Sequence, residues 1–344
     1  MKKSIPQSLF FVSIILLAFS YFSFFAEEVP QLQDVKQNQE SHKIKLEISK
    51  YTQEGQAFLK TGKTNEAQQM AQKIKNLSET SPESYYLSGA IQYILSNYSK
   101  AGKELETAIR NNPGHDQSLF LYGMVYLRQN KIEQAIIYLE RACNEANYNP
   151  FYRFNLAIAY FALGKFDRAK IEAESTVRLK ENYHKAKFLL ASSLYKINKK
   201  SESYAIVKDL YDKNIDRNEI QMLYLKLSTE EAKNYSEVIQ ILAKKNKLSL
   251  EEKKILAQVF MEEGEYLKAI QFYKMVFESG MDTEEDNINY LKSMIMIGKT
   301  EEAEKLFSAY NKKSHSEKKI LIETYYSTLE KKYFLSQVYQ PYPL

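Results

Sequence analysis

Thiols and imidazoles are the side chains most able to do chemistry at neutral pH, and this chain has few of either. Cys143 is the single cysteine, and the four histidines are His42, His115, His184 and His315. A thiolate zinc site needs two to four sulfurs, and a redox thiol needs a second one to resolve it. Neither arrangement can be assembled within the chain from one cysteine. No two histidines stand four residues apart, so none pair on one helix face. No G-x-S-x-G, H-E-x-x-H, G-x-G-x-x-G or G-x-x-x-x-G-K-[ST] pattern occurs, which removes the common nucleophile, zincin and phosphate-loop chemistries. Each lone histidine is therefore read as a surface or loop residue. Cys143, beside Ala142, is read as a small packing residue. The expectation is a protein with no cofactor and no metal, and not an enzyme.

Composition says what kind of element fills the chain. Of 344 residues, 10 are glycine and 7 proline, well under the average of roughly 7% and 5%. Turn-rich β folds and glycine-rich phosphate loops are disfavoured by that scarcity, and helices are favoured. The apolar share is 44% and the charged share 26%, enough to build a core. Net charge is +5, from 48 basic and 43 acidic residues. So small an excess, spread along the chain, does not form the basic face of a nucleic-acid binder.

The N-terminus has a different character. Lys2 and Lys3 precede an apolar run from Leu9 to Phe25, broken only by Ser13, Ser20 and Ser23 and closed by Glu27 and Glu28. Basic residues before such a run and acidic residues after it fit export with the body outside the cytoplasm. Residues 1–26 are read either as a cleaved signal peptide or as an anchor attached to a membrane through residues 9–25. Residues 27–41 are read as a polar linker, and the body is expected in the periplasm or cell envelope.

The strongest signal is periodic. Gly55, Gly89, Gly123, Ala157 and Ala191 stand 34 residues apart. Twelve residues after each comes Ala67, Ala101, Ala135, Ala169 or Ser203, and seven after each comes Gly62, Ser96, Asn130, Gly164 or Asn198. Ala257, Gly264 and Ala269 restart the pattern, and Leu291, Gly298 and Ala303 continue it. Two small residues let a pair of helices approach closely. The residue between them ends the first helix, as Gly or Asn does at C′. Each unit is then a helix hairpin that must stack on its neighbours to bury its apolar faces. One unit is irregular, with Lys226 and Val238 in its small-residue slots.

These residues resemble the tetratricopeptide repeat. The resemblance is carried by Tyr122-Gly123-x2-Tyr126 with Ala135-x3-Leu139, by Leu156-Ala157-x2-Tyr160 with Ala169, and by Leu256-Ala257-x2-Phe260 with Ala269-x3-Tyr273. The chain departs from the family in having no tryptophan, and it keeps the closing proline clearly only at Pro113. The resemblance implies an all-α, right-handed superhelical solenoid of about eight helix-turn-helix repeats. Repeats 1–5 would span 42–217, a degenerate unit 218–249, and repeats 7 and 8 residues 250–313. An amphipathic capping helix is expected over 314–339, ahead of a short tail, 340–344.

In that family the first helix of each hairpin lines a concave wall that holds protein partners. The corresponding stripe here reads Tyr86, Ala90 and Tyr93, then Phe120, Met124 and Leu127. It continues with Phe151, Phe154, Ile158 and Phe161, and ends with Phe188, Ser192 and Tyr195. Spacings of three and four place each group on one helix face. Two readings follow: the rings are buried between stacked helices, or they form a sticky groove for an apolar peptide or helix. The basic and amide side chains with which some family members clamp a C-terminal carboxylate are missing, with Lys185 and Asn155 as isolated candidates only. Farther along, the stripe turns polar with Glu230, Glu251, Lys254, Gln258, Glu285 and Lys292. The expected function is a non-catalytic scaffold for protein partners. The alternative is a regulatory or substrate-presenting subunit that acts through these charged surfaces.

Overall fold

The structure is a computed structural model that describes residues 37–215 and 218–310. The leader at 1–26, the capping segment at 314–339 and the tail at 340–344 lie outside the described residues. Every regular element among the described residues is an α-helix. In chain order they are α1 (37–60), α2 (Thr64–Leu77), α3 (Pro82–Ile94), α4 (Tyr98–Asn111), α5 (Asp116–Arg128), α6 (Ile132–Glu145), α7 (Pro150–Ala162) and α8 (Phe166–Leu179). There follow α9 (His184–Lys196), α10 (Lys200–Asp212), α11 (Asn218–Glu230), α12 (Tyr235–Ala243), α13 (Leu250–Glu262), α14 (Tyr266–Glu278), α15 (Glu284–Met296) and α16 (Thr300–Tyr310). Helix α1 already begins at residue 37, so the last residues of the stretch read as a linker are helical. No described helix is long and apolar enough to cross a membrane.

The described residues divide between Leu163 and Gly164 into two compact units. In the first, consecutive helices pack as antiparallel hairpins: Gly89 of α3 faces Ala101 and Leu105 of α4, while Asn111 at the far end of α4 donates to the Thr80 carbonyl before α3. Ala67, Ala101 and Ala135 are wholly buried at these approaches. In the second unit the same places hold Ala191, Ala257, Ala269 and Ala303, all wholly buried. Ser203 fits there because its hydroxyl donates to the Ala191 carbonyl at 2.7 Å.

The turn residues do what their spacing predicts. Gly62, Ser96, Asn130, Gly164, Asn198, Gly264 and Gly298 all have φ between 58° and 87°. At α5 the Asn130 N–H donates to the Leu127 carbonyl and the Lys131 N–H to the Tyr126 carbonyl, at 3.1 and 2.9 Å. That pair of bonds satisfies the last carbonyls of the helix and requires a left-handed residue between them. Ser96 is the odd member, since Gly and Asn visit the left-handed region routinely and serine does not, and Ser96 is exposed. Ser96→Gly is therefore expected to stabilise the protein by about 0.5–1 kcal/mol, read as a higher urea midpoint with unchanged slope.

The irregular unit departs from the sequence reading. The turn between α11 and α12 spans Glu231 to Asn234, one residue more than the Leu95–Asn97 turn. That insertion moves the close-approach slot from Lys226 to Leu225, which is wholly buried with Val238 and Leu242. Lys226 is exposed, with its ammonium 5.3 Å from the Tyr195 ring centre. The pair is thus held apart by two branched side chains instead of meeting at two small ones.

Candidate functional site

The first helices of the first unit meet on one side of it. Gln56 of α1 donates to Gln117 of α5 at 2.8 Å, past the intervening α3. The aromatic stripe belongs to this set of helices, and Tyr93 and Phe120 are held by the first helix of the next repeat. Tyr86 is half-buried against Leu87 and Leu105, with the His115 ring edge-on at 5.8 Å. Tyr93 packs on the Ala101–Val125 core and accepts a hydrogen bond from Arg128 Nε at 3.0 Å. Phe120 stacks on Tyr152 with centroids 4.4 Å apart and lies 5.3 Å from Phe151. Met124, Leu127, Phe154 and Phe161 are half-buried.

Phe151 and Ile158 differ from the others. They are 51% and 39% exposed, seven residues apart on α7, and so on one face two turns apart. Tyr152, Leu156, Ala159 and Tyr160 on the other faces of α7 are buried. The stripe is therefore neither wholly core nor wholly groove. Packing covers most of the Tyr86, Tyr93 and Phe120 rings, and α7 leaves an apolar ledge.

In the second unit the stripe is engaged by its own fold. Phe188 and Tyr195 pack against the core of Ala191, Val207, Ile220, Tyr224 and Leu227. The Tyr195 hydroxyl donates to Glu230 at 3.2 Å. Glu230 also pairs with Lys200 at 3.0 Å. Lys254 pairs with Asp286 at 3.2 Å and donates to the Met281 carbonyl at 2.8 Å. Two of the charges that the sequence places on a binding wall, Glu230 and Lys254, are thus engaged with other helices of the unit. Glu285 follows a cap, since Thr283 and Asp286 exchange hydrogen bonds that close the start of α15, a reciprocal N-terminal box.

The isolated clamp candidates fare no better. Asn155 is buried and its amide donates to the Phe151 carbonyl at 2.8 Å, so it is a helix-internal group. Lys185 is exposed. Cys143 is buried. No group of three or more potential metal ligands occurs among the described residues.

Two residues matter more than their sequence reading suggests. Tyr152, which the stripe pattern skips, is the buried partner of Phe120, and its hydroxyl donates to Asp116 at 3.0 Å. An aromatic beside a stripe residue carries no periodic signal of its own. His115, read as a loop residue, caps α5: its Nδ1 accepts from the Ser118 N–H at 3.3 Å and lies 2.7 Å from the Ser118 hydroxyl. Burial pushes its pKa below the usual value, against the opposing pull of Glu83 and Asp116. A depressed folded-state pKa means the neutral cap stabilises fully above about pH 6.5 and is lost as pH falls through the folded value. Stability measured by urea at pH 7.5 and pH 5 is expected to fall more for the wild type than for His115→Asn, whose amide caps without titrating.

The comparisons agree with this geometry. Residues 89–150 match the family model described as tetratricopeptide repeat. No curated protein matches the chain. A solved structure of PilF from Pseudomonas aeruginosa is 20% identical, covers 62% of this chain and 99% of its own, and superposes with a TM-score of 0.51. YrrB, described as a TPR protein with an unusual peptide-binding site, is 17% identical over 52% of this chain and 90% of its own, with a TM-score of 0.43. MamA from Desulfovibrio magneticus RS-1 is 18% identical over 49% and 98%, with a TM-score of 0.41. At such identities the PilF likeness is one of fold. Residues 89–150 thus match the tetratricopeptide repeat, and the chain shares the fold of PilF.

Proposed function

We propose that this protein is a non-catalytic scaffold of the cell envelope that captures an apolar peptide or amphipathic helix of a protein partner. The observation that carries the reading is the ledge of Phe151 and Ile158 on α7, flanked by half-buried Phe154 and Phe161. Exposed rings on an ordered helix offer contact area at low entropic loss, which is how aromatic anchors act at interfaces. An amphipathic helix would lay its own i, i+3/i+4, i+7 residues against them. The envelope setting rests on the Lys2-Lys3 and Leu9–Phe25 leader; it is attached through residues 9–25 or released by cleavage. No nucleic acid is expected as a partner, given the balanced charge.

The test places a photo-crosslinking residue at Ile158 in cells and identifies the adduct by mass spectrometry. The adduct is then rebuilt from purified components. Phe151→Ser/Ile158→Ser is expected to weaken that complex at least about tenfold, since burying two large apolar groups contributes about 1.5–3 kcal/mol each. Both positions are exposed, so helical content should stay as in the wild type. An unchanged affinity for the adduct would refute the reading. The same crosslinker in fractionated cells gives the compartment.

A further inference from the structure

Helix α1 differs from the helices that follow it. It runs over 37–60, a rise of about 36 Å, whereas α2 has 14 residues and α12 has 9. As the first helix of the array it has no earlier repeat against its outer side.

The sides of α1 are committed differently. Ile48, Tyr51, Phe58 and Leu59 pack on Met70, Ala71 and Ile74 of α2 and on Leu87 of α3. One flank, from Gln37 to Gln56, lines a polar cleft of about 1340 Å³ shared with the loops before α3 and α5. Lys43, Leu46, Lys50, Ala57 and Lys60 lie on the outer side. Spacings of three, four and seven put them in one strip. All five are exposed, and none lines the cleft.

That strip carries three ammonium groups and no carboxylate. No ion pair holds any of the three among the described residues. The glutamates of α1, Glu40, Glu47 and Glu54, recur seven apart on the next strip round, which also bears Tyr51. Lys73 of α2 stands over the Tyr51 ring at 5.1 Å, so positive charge from the neighbouring helix adjoins them. Leu46 is 59% exposed between the lysines.

Ammonium groups spread over about 26 Å of straight helix call for a partner that is extended, flat and repeatedly anionic. A bilayer with anionic headgroups has that form, and it attracts basic side chains within about 8–10 Å at physiological salt. Lysine stems reach along such a surface while a leucine among them enters the headgroup layer. The leader brings the surface within reach. Its apolar run ends at Phe25, and residues 26–36, between the run and α1, span at most about 40 Å. A run held in a membrane would keep α1 beside it at high effective concentration, so that weak contacts suffice.

We propose that the outer face of α1 docks on the surface of an anionic phospholipid bilayer, with Lys43, Lys50 and Lys60 over the headgroups and Leu46 dipping between them. It rests on the envelope reading, in the form where residues 9–25 stay in the membrane, and is independent of the ledge on α7.

The test uses the full chain with vesicles of phosphatidylcholine alone and of an equimolar mixture with phosphatidylglycerol. The apolar run contributes to binding in both, so the readout is the ratio of the two affinities by flotation. Lys43→Gln/Lys50→Gln/Lys60→Gln should lower that ratio about tenfold or more, since each lysine near such a surface contributes a factor of about five. Glutamine has nearly the helix propensity of lysine, so α1 should stay folded. Lys63→Gln/Lys100→Gln/Lys103→Gln removes as many exposed charges from α4 and the turn before α2, and should leave the ratio as in the wild type. A polarity-sensitive dye on Ala57→Cys should shift to shorter wavelength on the mixed vesicles alone; Cys143 is buried and escapes the label. Phe151→Ser/Ile158→Ser should bind both vesicles as the wild type does, and the α1 lysine variant should keep its affinity for the crosslinked partner. That separates failure of this face from failure of the ledge. Four results would overturn the proposal: an unchanged ratio in the α1 lysine variant, an equal fall in the control variant, a dye on Ala57→Cys that does not shift, or lysine-dependent binding of polyglutamate with no preference for the mixed vesicles.

Discussion

Gly123→Val is expected to destabilise the first unit by about 3 kcal/mol, the upper part of the range for overpacking a close-packed core. A Cβ at Gly123 would stand 2.8 Å from Leu139 Cγ and 3.2 Å from the Ala135 carbonyl oxygen. The leucine could rotate away. The carbonyl is backbone, and α5 could clear it only by backing off α6, which would open the contact that keeps Ala135, Leu139 and Ala142 wholly buried. Gly102 is the internal control. It too sits within a helix, but a Cβ there meets only Tyr122 Cε2 at 3.5 Å, an ordinary contact. Gly102→Ala should therefore stabilise by about 0.5–1 kcal/mol through backbone entropy alone. Opposite signs for two helical glycines, read from chemical denaturation with unchanged slope, would separate the close-approach role from simple helix propensity. Equal signs would show that the pairs do not depend on small residues.

That contrast also explains what was legible in the sequence. The 34-residue period fixes where small residues must fall, because Gly123 and Ala135 are separated by a fixed helix-turn-helix path. The left-handed residues at Asn130 and Gly264 follow from the same arithmetic. The period has no information about an inserted turn residue, so Lys226 was placed where Leu225 stands. Nor does it say how deeply a stripe is covered. Phe120 and Phe151 occupy neighbouring stripe positions, yet one is stacked on Tyr152 and the other is largely open. Phe120 is covered because Tyr152 of α7 stacks on it, a tertiary fact. The polar cleft was illegible for a related reason: its residues come from the long first helix and two loops, and only the Asn111–Thr80 and Gln56–Gln117 bonds reveal that they are neighbours.

Tyr152 provides the second large effect, because it joins two repeats. Its ring stacks on Phe120 at 4.4 Å, and its hydroxyl donates to Asp116 at the start of α5. The ring is 7% exposed, and burial together with the neighbouring Asp116 carboxylate holds its hydroxyl protonated far above the ordinary tyrosine range. Tyr152→Ala is expected to cost about 3–5 kcal/mol, as large aromatic truncations in cores do. Tyr152→Phe keeps the stack and removes only the hydroxyl, so about 1–1.5 kcal/mol should be lost. In a stacked array, stability is the sum of each repeat's own term and its contacts with the next. A loss concentrated at one contact therefore does more than lower the midpoint. In Tyr152→Ala, amide exchange in α7 should rise toward rates that report local opening, while α3 and α4 keep their protection. Uniform acceleration across α3 to α7 would mean that the unit unfolds as a single block and that the Phe120–Tyr152 stack is not the seam between repeats.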